Sequence, residues 1–163
     1  MAMTRTVPVR SERRRSILLA VLAVAVGVLL MTHAAVQGIG AASFWAPCWS
    51  EGFESAACDF LQYEAPSPAW LLPYWVWFVE VLLALAVIAA SVAAGRRLGT
   101  AGLALVAVLA SSALIDSVFA PMVNGGHTSA DDPPGFGLIG AAFLAVAGAL
   151  MLRVATPYRR PLR

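Results

Sequence analysis

"SILLAVLAVAVGVLLMTHAAVQG", residues 16–38, decides the fold. Crossing the hydrocarbon core of a bilayer, about 30 Å, takes about 20 mostly apolar residues in a helix. This stretch supplies them, with His33 as its single ionisable side chain. Three further stretches of the same character follow, at about 73–94, 99–122 and 136–155. Composition agrees. Of 163 residues, 60% are hydrophobic and 12% charged, where a soluble domain carries about 25% charged residues. So few charges cannot clothe a water-exposed surface.

The expected fold is all-α and integral to the membrane: a four-helix transmembrane bundle forming one domain over residues 1–163. Short tails at 1–15 and 156–163 flank it, and outer loops at 39–72 and 123–135 join the spans. The second outer loop holds "NGGHTSADDPPG", residues 124–135, dense in turn formers. No internal repeat is visible, so an inverted-repeat transporter plan finds no support.

Charge orients the bundle. Arg5, Arg10, Arg13, Arg14 and Arg15 precede the first span, Arg96 and Arg97 join the second to the third, and Arg153, Arg159, Arg160 and Arg163 close the chain. Four spans place all of these on one side, and the two outer loops contain no Arg or Lys. The positive-inside rule then puts both termini in the cytoplasm. The five Trp (Trp45, Trp49, Trp70, Trp75 and Trp77) fall at the outer end, where indole rings favour the interface. All eleven basic residues are Arg, a usage that fits a high-GC bacterial genome and hence a bacterial plasma membrane. A rival reading treats the first span as a secretory signal, since a basic head precedes its apolar run. That run is long for a signal core and of the right length for a span.

The first outer loop contains Cys48 and Cys58. Outside the cell disulfides persist, so a bond between them is expected. A redox-active pair is the alternative, although such pairs are usually spaced C-x-x-C. Residues 50–63 are expected to form a short amphipathic helix, with Ser50 as its N-cap and Glu51 in its first turn. "PSP" at residues 66–68 ends any helix there. The outer loops are acidic, a leftover of charge sorting or a rim that gathers cations.

Three spans each carry an ionisable group near the outer end: His33 in the first, Glu80 in the second and Asp116 in the third. Insertion costs are about 2.5–3.5 kcal/mol for Asp at mid-membrane, so such groups usually face the bundle interior and pair. Gln37 stands one turn from His33, and Ser112 one turn from Asp116. Two carboxylates close together in a low dielectric cannot both ionise cheaply, and a cationic His33 would compensate one of them. Such a layer serves either to hold helices together or to hold a proton or cation. His127, Asp131 and Asp132 are the loop candidates that add to such a proton or cation site, and metal binding by His33, Glu80, Asp116 and His127 is a third use.

The fourth span has small residues four apart, Gly137, Ala141, Ala145 and Ala149. They admit a neighbouring backbone from inside the bundle or from another membrane protein. Phosphate loops, zinc-protease helices and nucleophile elbows are absent from the sequence, and no cofactor or nucleic acid is expected as a ligand. The expected function is a non-enzymatic accessory or assembly subunit of a membrane complex. The alternatives are a small proton- or cation-coupled transporter using Glu80, Asp116 and His33, and an enzyme with an outward-facing metal site. No family resemblance is assigned.

Overall fold

A computed structural model describes residues 9–95, 98–126 and 132–156, with side chains from residue 12 onward. Every element it describes is a helix. In chain order they are α1 (Val9–Phe44), α2 (Ala46–Glu51), α3 (Ala56–Tyr63), α4 (Tyr74–Ala93), α5 (Leu98–Ala110), α6 (Ala113–Val123) and α7 (Leu138–Ala155). Three of them, α1, α4 and α7, are long and apolar enough to cross a membrane. A fourth crossing exists if α5 and α6 together count as one span. Helix α1, at 36 residues, overshoots the expected end of the first span and carries its C-terminal end on into the cap.

The third span is not the continuous helix expected over 99–122. It bends by 75° between α5 and α6. The cause is local competition for one carbonyl. In an unbroken helix Val108 O would accept from the Ser112 N–H. Here Val108 O accepts from Trp77 Nε1 at 2.9 Å and from Ser111 Oγ at 2.7 Å. Ser112 N–H falls back on Leu109 O at 3.3 Å, and Ser112 itself is extended at φ −63°, ψ 149°. Side-chain capture of a carbonyl is a recognised cause of helix breaks.

Helix α7 is the hub, packed against α1, α5 and α6, while α4 packs on α1 and α5. Helices α1 and α7 run antiparallel, because Gly27 lies by Gly148 while Gly38 lies by Ala141. At the crossing there is no room for side chains. A methyl on Gly148 would come 2.7 Å from Met31 Cγ and 3.0 Å from Gly27 O. Toward the end of the bundle that holds the start of α1 the core is aliphatic, with Leu19, Val26, Val87, Leu144 and Met151 buried among alanines.

A cap covers the other end. Cys48 and Cys58 are bonded, as expected, and join α2 to α3. The amphipathic helix differs from expectation. Ser50 lies inside α2 and donates to Ala46 O; the N-cap is Ser55, whose Oγ accepts from Cys58 N at 3.2 Å. Pro47 starts a separate helix, and Gly52, at φ 103°, ends it. Glu51 therefore closes α2, and Asp59 takes the first-turn place in α3. The tryptophans divide. Trp49 and Trp75 are exposed, whereas Trp45 is buried and donates from Nε1 to Phe136 O at 3.0 Å. Trp70 packs against two glycines: a methyl built on Gly40 would lie 2.4 Å from its Cβ, and one built on Gly137 would lie 2.6 Å from its Cζ3.

Candidate functional site: a polar layer around the start of α7

Residues 133–137 lead into α7 and are buried without being helical. Buried backbone that is not helical must find partners for its polar groups. Three side chains from other elements supply them here. Asn124 Nδ2 donates to Pro134 O at 3.0 Å, Trp45 Nε1 to Phe136 O, and Gln37 Nε2 to Gly137 O at 2.9 Å. From α6, Asp116 Oδ2 accepts from Gly140 N–H at 3.2 Å, with the N–H groups of Gly137 and Ile139 alongside. Asp116 thus sits on the first turn of α7, where unpaired N–H groups and the helix dipole favour a carboxylate. Gly137 itself is left-handed at φ 95°, a conformation that favours glycine.

The three ionisable residues fall into two groups. His33 and Glu80 form a direct pair, Nδ1 to Oε1 at 2.6 Å, both buried. Asp116, on α6, stands apart from it and is bonded instead to the backbone of α7. Gln37 links the two, being one turn from His33 and close to Asp116. A methyl on Gly140 would lie 2.8 Å from Asp116 Oδ2, 2.8 Å from Gln37 Nε2 and 3.1 Å from Ser111 O. A cavity of about 50 Å³ is lined by His33, Gln37, Ser111 and Asp116, with Tyr74 and Trp77 among its apolar walls. That is room for ordered water. Several buried atoms have no partner among the described residues: His33 Nε2, Glu80 Oε2, Asp116 Oδ1 and Asn124 Oδ1.

Ser112 does not share a helical face with Asp116. It stands just before α6 and meets Asp116 through backbone, Asp116 N–H to Ser112 O at 3.0 Å. Among the described residues no three His, Cys, Asp or Glu side chains gather as a metal set. His127 and Asp131 lie outside the described residues, as do Arg5, Arg96, Arg97, Arg159, Arg160, Arg163 and the side chain of Arg10. Asp132 is half-buried, just before the segment that leads into α7. The small-residue stripe is only partly inside. Gly137 and Ala141 face α1, Ala145 is half-buried and Ala149 is exposed. Steps of four residues drift about 40° each around a helix of 3.6 residues per turn, so the stripe rotates off the contact. Gly148 takes over the close approach.

Ser111, Asn124 and Gly140 join the site without a signal in the sequence, and Trp45, expected at the interface, is a buried donor instead. Asn124 precedes two glycines and Gly140 sits in an apolar run, so neither stands out as a partner for distant backbone. Neither a family model, nor a curated protein, nor a solved structure matches this chain.

Proposed function

We propose that the protein is a small multi-pass protein of a bacterial plasma membrane, with both termini cytoplasmic, acting without catalysis as an accessory or assembly subunit of a membrane complex. The observation that carries this reading is the position of the polar groups. Of the buried polar side chains described, only Ser91 lies away from the capped end, and its Oγ is occupied by Val87 O at 2.7 Å. From Glu80 to Ser91 along α4 is roughly 16 Å at 1.5 Å per residue, and the buried α4 side chains between them are Ala84 and Val87. A proton or ion path needs polar groups or water across the whole span. The polar layer instead serves the irregular segment before α7, which supports a structural role and weighs against transport.

The four-span bundle and its orientation belong to the same proposal. They rest on α5 and α6 acting as one bent span and on the arginine distribution. Reporter fusions at the N-terminus, at residues 96–97, at the C-terminus and in each outer loop test the topology. The first three should report cytoplasm and the loops the outside. Membranes extracted in a mild detergent should hold the protein in a species larger than its own monomer or dimer, with a defined second subunit. A protein that runs alone after such extraction contradicts the accessory role.

A further inference from the structure

We propose that the start of α1 binds the headgroup of an anionic phospholipid through Arg13, Arg14 and Arg15, with an acyl chain of the same molecule laid along the apolar face that follows. The three arginines are exposed and stand on the helix itself, because α1 begins at Val9 and runs unbroken through them. No described side chain of α1 is buried before Leu19. Residues 12–18, about 10 Å of helix, are therefore left to whatever surrounds the bundle.

Charge selects an anion. Among the described residues at this end of the bundle the one acid is Glu12. Three guanidinium groups against one carboxylate leave an excess of positive charge. Guanidinium stays charged at any working pH, and its N–H groups match phosphate oxygens two at a time.

The surface beyond selects a lipid. Leu18 follows Arg14 by four residues, and Val21, Ala25 and Val28 continue the same exposed face at steps of three and four. From Leu18 to Val28 is about 15 Å, half the thickness of the hydrocarbon core. A phosphate ester with a hydrocarbon tail meets both parts of this surface, whereas a free phosphate meets only the first. The inference rests on α1 lying in a membrane, and neither on which side its start faces nor on a protein partner.

The probes are spin-labelled phosphatidylglycerol and spin-labelled phosphatidylcholine, compared in liposomes that hold the purified full-length protein. Phosphatidylglycerol should be favoured at the protein surface several-fold at low ionic strength, and the preference should shrink as salt is raised. The triple variant Arg13→Gln, Arg14→Gln, Arg15→Gln should lose most of it. Glycerol phosphate added in free solution should leave it intact. Equal association of the two lipids with the wild-type protein overturns the proposal whether or not the variant folds. An undiminished preference in the folded triple variant overturns it as well, and so does displacement by glycerol phosphate, which would make a headgroup anion alone the ligand.

Discussion

His33 on α1 and Glu80 on α4 meet at 2.6 Å, buried, though 47 residues apart in sequence. It is the one described side-chain hydrogen bond that joins those two helices, beside their apolar packing. Interhelical hydrogen bonds in membranes average about 0.6 kcal/mol and reach about 1.7. Stranding one member of a buried pair costs more, about 3–5 kcal/mol in soluble proteins.

Glu80→Leu should therefore destabilise by about 2–3 kcal/mol, between those two limits. His33→Leu on its own strands Glu80 in the same way. The double variant should recover part of the loss, since no unpaired group is left behind. Reversible unfolding in mixed micelles measures all three. Strictly additive losses would mean that the two side chains do not interact.

The crossing of α1 and α7 makes a second quantitative claim. Gly27 and Gly148 each lack room for a methyl: one on Gly27 would lie 2.9 Å from Leu152 Cγ and 3.1 Å from Gly148 O. Overpacking of this kind costs about 1–3 kcal/mol. Gly148→Val should fall in or above that range, since the backbone of α1 cannot yield as a side chain can. Gly102→Ala on α5 is the control, because nothing lies within 4 Å of its added methyl. It should be neutral or mildly stabilising. Equal effects at the two positions would contradict the close approach.

The cap depends on its disulfide and on Trp70. Cys48 and Cys58 are 10 residues apart, and closing a loop of that size contributes about 3 kcal/mol in the chain-entropy model. Reduction should lower the Tm and expose residues 46–63 to protease while the α1–α7 core stays protected. Gly137→Ala should destabilise the junction of cap and bundle for two reasons, a φ of 95° and the indole of Trp70 in the way. The double variant Trp70→Ala with Gly137→Ala removes the second cause and should recover part of the stability. Hydrogen exchange over residues 132–141 reads this directly, and no recovery in the double variant would show that Trp70 is not the obstacle.

What could be read in advance followed from physics that acts over short stretches. Hydropathy over 20 residues marks a span whatever its neighbours do, so 73–94 and 136–155 correspond closely to α4 and α7. The bond between Cys48 and Cys58 needed only compartment and proximity. The break at Ser111 and Ser112 was illegible because its cause is Trp77, 31 residues before the carbonyl it captures at Val108. Ser50 looked like a helix cap, but Pro47 had already begun a helix upstream. An ionisable group in each of three apolar stretches, His33, Glu80 and Asp116, was visible, whereas their division into a pair and a separate carboxylate was not. Asp116 answers backbone N–H groups of α7, and such donors carry no signature in the sequence.

The central claim is that the polar layer ends inside the membrane and offers no route across it. Reconstituted liposomes test this most directly, with proton, sodium and potassium gradients imposed in both directions on the purified wild-type protein. The expected flux equals that of protein-free liposomes under every gradient. Flux above that baseline in the wild type, lost in Asp116→Asn with Glu80→Gln, would contradict the account.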